Sequence, residues 1–317
     1  MPRIAVLDDY QSVAARFSDW SQVPGADVVE FHEHLGDEDA VARALQDFDV
    51  VVAMRERTAF RRSLLERLPN LRLLVTTGRR NKSIDVEAAV ERGITVCGTA
   101  IPPHGTAELT WGLILAVARN IPREDASVRA GGWQQTVGTD LAGSRLGVLG
   151  LGNQGAQVAR IGLAFDMDVV AWSENLTDER AAEVGARRVG REELFGSSDV
   201  LTIHTLLSKR TRGLVGAEDL GRMKPTAILV NTSRGPIVAQ EALLDALRDG
   251  RIAGAGLDVY DEEPLPADHP LRSAPRTVLT PHLGYVTRNT YEIFYREAVE
   301  DVAAWVSGEP IRVLQPS

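Results

Sequence analysis

The chain has 317 residues, 44% hydrophobic and 25% charged, with 44 acidic against 35 basic side chains and a formal net charge of −9. That length calls for about two domains, and the acidic balance excludes a general binder of nucleic acid or anionic membrane, since both need a basic face. No run approaches the roughly 20 apolar residues that span a bilayer, and the single cysteine, Cys97, excludes an internal disulfide or a multi-cysteine metal site.

The opening MPRIAVLDDY lacks the apolar core and cleavage site of a secretory signal, so the cytoplasm is the expected compartment. Short apolar runs then alternate with amphipathic stretches over the first hundred residues. Strands are expected at 3–7, 26–31, 49–54, 71–77 and 94–98, and a helix from Asp37 to Phe48 with Asp37 as its N-cap. This spacing indicates a parallel sheet covered on both faces. Cys97, inside the run ITVCG, is expected as buried filler. His32 and His34 (FHEHLG) fall among acids in an expected surface loop, and no metal is assigned to them.

A helix is expected from Thr106 to Arg119 and another to Ala130, where Gly131-Gly132-Trp133 breaks the pattern. Trp111 and Trp133 read as packing or interface residues. A second alternating series begins at Leu146, with strands at 168–172, 199–205, 226–232, 253–260 and 277–281. The last segment, Asn289 to Gly308, puts Phe294, Ala298, Val302, Trp305 and Val306 on one helical face. The whole is an α/β chain of two doubly wound parallel-sheet domains. Chain crossings are expected near residues 99–104, where paired prolines can stiffen a hinge, and near 284–288.

Residues 144–165 carry the strongest local motif. Gly150-Leu151-Gly152-Asn153-Gln154-Gly155 fits G-x-G-x-x-G between the strand-like LGVLG and a helical run, the context that gives the pattern meaning. Gly150 permits the tight turn, Gly152 lets backbone approach a pyrophosphate, and Gly155 lets the helix pack on the sheet. The free N–H groups of that helix end then face the phosphates. The following strand ends in Ser173-Glu174. An acid at that place suits the adenosine ribose of NAD and repels a 2′-phosphate, so NAD is preferred and NADP is left open.

Three later segments each run from an apolar stretch into a Gly- or Pro-rich turn: VNTSRGPIV (230–238), LDVYDEEPL (257–265) and LTPHLGYVT (279–287). They place Arg234, Glu263 and His282 at strand ends, where ligands bind in open α/β sheets. Alone, each has an ordinary explanation as a solvated turn charge or a strand cap. Together, a guanidinium, a carboxylate and an imidazole can clamp an anion and move a proton. The net charge makes such local cations necessary for an anionic substrate.

With these motifs in this order, the chain resembles the D-isomer-specific 2-hydroxyacid dehydrogenases across nearly its whole length, on LGLGNQG (149–155), VNTSRGPIV, LDVYDEEP and TPHLG (280–284). It looks most like the phosphoglycerate dehydrogenase and hydroxypyruvate or glyoxylate reductase members. The resemblance implies a Rossmann nucleotide-binding domain (101–285) inserted in a flavodoxin-like substrate domain made from 1–100 and 286–317, and a homodimer. It implies that Arg234 binds a small anionic 2-keto or 2-hydroxy acid, that His282 is the acid/base, and that Glu263 is the partner of His282. It also implies that Asp258 sits near the nicotinamide amide, and that His204, Thr205, Thr232 and Gly284 line the cofactor.

Two departures stand out. Leu206 replaces a proline usual two residues after His204. The loop that commonly reads G-x-G-x-D-x-I-D is Gly78-Arg79-Arg80-Asn81-Lys82-Ser83-Ile84-Asp85, so Gly78, Arg79 and Arg80 are the expected substrate-loop residues. A rival possibility on the same fold is an NAD-sensing scaffold or co-repressor. Another hydride transfer, such as formate or phosphonate oxidation, is also open, though formate oxidation is disfavoured by an acid rather than an amide at Glu263.

Overall fold

A computed structural model describes residues 1–316 and divides into two units, Met1–Pro102 with the chain from Thr287 onward, and Pro103–Val286. The first runs β1 (Arg3–Val6), α1 (Ala14–Phe17), β2 (Asp27–Glu30), α2 (Glu38–Leu45), β3 (Val50–Ala53), α3 (Arg62–Leu65), β4 (Leu73–Thr76), α4 (Val86–Glu91) and β5 (Thr95–Gly98). Its strands are all parallel in the order β2-β1-β3-β4-β5. This is the flavodoxin-like doubly wound arrangement. β3 and β4 are buried at every position, as strands covered on both faces must be. Asp37 caps α2 by accepting from the Ala40 N–H at 2.9 Å. The helix stops at Leu45 rather than Phe48, which instead closes a turn onto the Leu45 carbonyl.

The second unit continues with α5 (Gly105–Ala118), α6 (Ile121–Arg129), β6 (Arg145–Leu149), α7 (Asn153–Ala164), β7 (Asp168–Trp172), α8 (Asp178–Ala182), β8 (Arg187–Arg188) and α9 (Arg191–Ser197). It ends with β9 (Val200–Ile203), α10 (Ala217–Arg222), β10 (Ile228–Asn231), α11 (Gln240–Arg248), β11 (Gly254–Leu257) and β12 (Thr277–Leu279). Its sheet is parallel in the order β12-β11-β10-β9-β6-β7-β8, the Rossmann order with one strand added at the far edge. Chain order reverses between β6 and β9, so the ligand crevice of this unit is expected outside their carboxyl ends. The two-residue edge strand β8 has no apolar alternation to announce it; its two exposed arginines suit a guarded sheet edge.

The final helix, α12 (Arg288–Val306), belongs to the first unit. Its buried face is Tyr291, Phe294, Tyr295, Ala298, Val299 and Val302. The expected continuation holds only in part: Trp305 is half-buried and Val306 is exposed. Cys97 is fully buried, and burial pushes its thiol up to about 12. No helix among the described residues is long and apolar enough to cross a membrane.

Candidate active site

The cradle sits at the switch point of the seven-stranded sheet. Gly150 follows β6 with φ +97°, a left-handed conformation that glycine adopts without steric cost. A side chain there would press on the backbone of His204 and Thr205 at the end of β9, with atoms at 2.8–3.0 Å. A Cβ on Gly155 would collide with the Gly150 carbonyl, so this glycine fixes the close approach of α7 to the turn. Gly152 caps α7 and has open space on its outer side, and Asn153 begins the helix exposed. Backbone donors, a helix N-terminus and clear access together fit a dinucleotide pyrophosphate. The side chain of Gln154 turns back, its Nε2 donating to the Pro103 carbonyl at 3.0 Å.

Other expected cofactor residues surround this turn. Ser173 and Glu174 follow β7, the first half-buried and the second exposed. His204 is half-buried with Nε2 2.8 Å from the Thr202 hydroxyl; burial pushes its imidazole down to about 4, so it is neutral at physiological pH. Ser233 donates to the Thr205 carbonyl at 2.5 Å, joining the turns after β9 and β10. Thr232 is buried and shares a 2.8 Å hydrogen bond with the Thr110 hydroxyl on α5. Leu206, at the proline-type position, is 78% exposed, and its carbonyl accepts from Thr211.

Arg234, Glu263 and His282 follow β10, β11 and β12, three neighbouring strands. The turn carrying Arg234 is built by buried Asn231, whose Nδ2 donates to the Arg234 carbonyl at 3.0 Å and whose Oδ1 accepts from Ser233 N–H at 3.0 Å. The Arg234 guanidinium donates to the Ser233 carbonyl at 2.7 Å. His282 Nδ1 lies 2.5 Å from Glu263 Oε2, with side chains 20% and 32% exposed, so the pair can be reached by a small molecule. Glu263 Oε1 accepts from the Tyr260 N–H at 2.9 Å. Burial alone would raise the Glu263 carboxyl, but the His282 bond and charge, the Tyr260 N–H and the Arg234 charge outweigh it and hold it below its usual value.

His282 adopts φ +55°, a conformation uncommon outside glycine that the surroundings must enforce. Asp258, fully buried, supplies that enforcement. Its Oδ1 accepts from the Thr280 hydroxyl at 2.6 Å and the Leu283 N–H at 2.7 Å, its Oδ2 from the Gly284 N–H at 2.9 Å, and its carbonyl from His282 N–H at 2.8 Å. Burial raises the Asp258 carboxyl against the lowering effect of these donors and of His282. The resemblance implied that Asp258 sits near the nicotinamide amide and gave no sign of this grip on the histidine turn. Its only signal was an acid leaving a strand.

In the first unit, Gly78 has φ +97°, and its N–H donates to the Thr99 hydroxyl at 2.8 Å. Asn81 is the buried anchor of the loop, donating to the Arg55 carbonyl at 2.6 Å and the Thr76 hydroxyl at 2.9 Å. Arg79 and Arg80 project into solvent. His34 is not a free surface group: its Nδ1 lies 3.4 Å from Asp8, which raises its pKa despite burial. His32 lies near Asp9 and Glu30, but both Asp9 oxygens already accept N–H bonds from Val13 and Ala14. Trp111 is buried and stacks on Phe165, whereas Trp133 is 71% exposed.

A dinucleotide cradle and a histidine–carboxylate pair on one Rossmann sheet define a nicotinamide-dependent oxidoreductase. Residues 111–284 match the family model described as the D-isomer specific 2-hydroxyacid dehydrogenase NAD-binding domain. The glyoxylate reductase of Aeropyrum pernix is 41% identical over 272 residues, 80% of this chain and 81% of that one. The D-3-phosphoglycerate dehydrogenase of Archaeoglobus fulgidus is 36% identical over 276 residues, 85% of this chain but 52% of its own longer length. A crystal structure of phosphoglycerate oxidoreductase from Vibrio cholerae superposes with a TM-score of 0.92 at 38% identity, covering 97% of this chain and 100% of that one. The chain belongs to the D-isomer specific 2-hydroxyacid dehydrogenases, with NAD as its cofactor.

Proposed function

We propose that this enzyme interconverts a small 2-keto acid of the glyoxylate, hydroxypyruvate or 3-phosphohydroxypyruvate type and its D-2-hydroxy acid, with His282 as acid/base. The observation that carries this is the 2.5 Å His282–Glu263 pair, on the same carboxyl edge as the cradle and electrostatically coupled to Arg234. Bound NADH supplies the hydride that reduces the carbonyl carbon. Arg234 presents a planar fork that holds carboxylate and carbonyl oxygens by two-point hydrogen bonding. His282, with Nδ1 committed to Glu263, directs Nε2 at the carbonyl oxygen and donates its proton there; in oxidation the same nitrogen accepts it. Glu263 fixes that orientation and stabilises the positive charge.

The first unit serves as the substrate domain in this scheme. Gly78, Arg79 and Arg80 are its substrate-loop residues, the two arginines supplying cations for an anion against the overall negative charge. We assign the active species as a homodimer: Trp133 and Val137, 71% and 96% exposed, lie on a segment without regular structure beside α6, whose Ile121 and Val128 are also exposed. Light scattering on the purified protein should give twice the chain mass. The reaction is tested by following NADH and NADPH oxidation with glyoxylate, hydroxypyruvate, 3-phosphohydroxypyruvate and longer 2-keto acids; binding of NADH without turnover of any of them would remove the proposal.

A further inference from the structure

The geometry points to Tyr260 as the positioning residue that sets Arg234, Glu263 and His282 in register, an inference that rests on the acid/base role proposed for His282. Tyr260 lies three residues past β11 and touches all three segments. Its backbone N–H donates to Glu263 Oε1 at 2.9 Å. Its hydroxyl donates to the carbonyl of Thr280, two residues before His282, at 3.0 Å, and faces the Leu257 carbonyl at 3.2 Å. Its carbonyl group is packed directly against Gly235, the residue after Arg234, where a Cβ would collide with it. Strands β10, β11 and β12 could each carry a catalytic group and still leave those groups unregistered. Tyr260 joins the ends of all three.

The hydroxyl is the informative part. A phenylalanine fills the same apolar space, since Tyr260 is only 7% exposed and packs in the core of this unit among residues such as Leu243, Leu257 and Leu271. What phenylalanine cannot do is bridge β11 to the chain leaving β12. Burial raises the phenol, with the Asp258 and Glu263 charges adding to it, so the hydroxyl remains protonated and remains a donor at every working pH. The Thr280 side chain supplies a parallel tie to Asp258 at 2.6 Å. Two ties therefore converge on Thr280, and the His282 turn hangs from it. Removing the phenol hydroxyl should loosen the 2.5 Å His282–Glu263 contact without altering the cradle or the Arg234 fork.

The test uses full-length Tyr260→Phe and, as a second variant in case that one fails to fold, Tyr260→Leu, which also removes the hydroxyl that reaches the Thr280 carbonyl. With glyoxylate and NADH, Tyr260→Phe should lower kcat about tenfold, within the range general acid catalysis contributes. KM and the NADH dissociation constant should stay within about twofold, and the solvent deuterium isotope effect on kcat should rise as proton donation becomes slower. Tyr260→Leu should show the same signature. Independently of turnover, the Nδ1 proton resonance of His282 should move upfield or broaden in either variant, as its bond to Glu263 lengthens. An unmoved resonance in folded variants overturns the positioning role, as does wild-type kcat. A resonance that responds in a protein that reduces no 2-keto acid would sustain the positioning role while removing the proposed reaction.

Discussion

The His282 cluster of the seven-stranded sheet and the Gly78 loop of the five-stranded sheet hold their charges differently. In the seven-stranded sheet His282 is gripped by Glu263, Glu263 by the Tyr260 N–H, and the His282 turn by four hydrogen bonds to Asp258. In the five-stranded sheet the loop after β4 is anchored through Gly78, Asn81 and the carbonyls of Lys82 and Ser83, while Arg79 and Arg80 stand in solvent. Rigid placement suits proton transfer, where angles and distances set the rate. Long exposed cations suit attraction and discrimination, where reach matters more than angle. Chemistry and selectivity are thus expected to respond to mutation differently, and three experiments can separate them while a fourth probes stability.

The largest effect should come from His282→Gln, which keeps a side chain of similar reach but cannot donate the proton: kcat should fall about 10²–10⁴-fold with NADH affinity unchanged. Retained kcat would show that the imidazole is a structural cap. Glu263→Gln should come next, with a loss of roughly 10²-fold in reduction. The Glu263 carboxyl is held below its usual value, so it is ionised throughout the neutral range and its loss acts at every assay pH. The falling limb of the reduction profile should move to lower pH in this variant; an unmoved limb would detach Glu263 from the acid. Replacing Arg79 and Arg80 together by alanine should raise KM for the best keto acid about twofold to tenfold, the scale of exposed charge interactions, and leave kcat alone. A changed kcat with constant KM would place the loop in the chemistry instead.

The smallest effect concerns stability. His204 titrates at about 4 in the folded protein against an ordinary 6.5, so the unfolded chain takes up its proton first as pH falls. The stability held at neutral pH is then lost between about 6.5 and 4, by roughly 1–3 kcal/mol, and His204→Gln should flatten that slope in urea melts. Equal slopes in the two proteins would mean that His204 protonates freely in the fold.

The sequence exposed those features that depend on short-range chemistry. Buried strands announced themselves as runs such as VVVA and LLVT because both faces are covered, and the cradle because glycine spacing carries its own mechanism. Features that depend on distant partners stayed hidden. Val306 looked like core because periodicity does not reveal where the packing surface beneath a helix ends. The grip of Asp258 and the bridge of Tyr260 had no local signal because their bonds reach 20 to 26 residues ahead, into the turn around His282. Asn81 carried no signal of its own between two cations, although its buried amide holds the loop.

The most direct measurement is steady-state NADH oxidation by wild type and His282→Gln with the four classes of 2-keto acid side by side. Turnover of at least one acid by the wild type, falling at least a hundredfold in the variant while NADH still binds, is the expected result. Equal turnover in the two proteins, or NADH binding with no turnover in either, would contradict it.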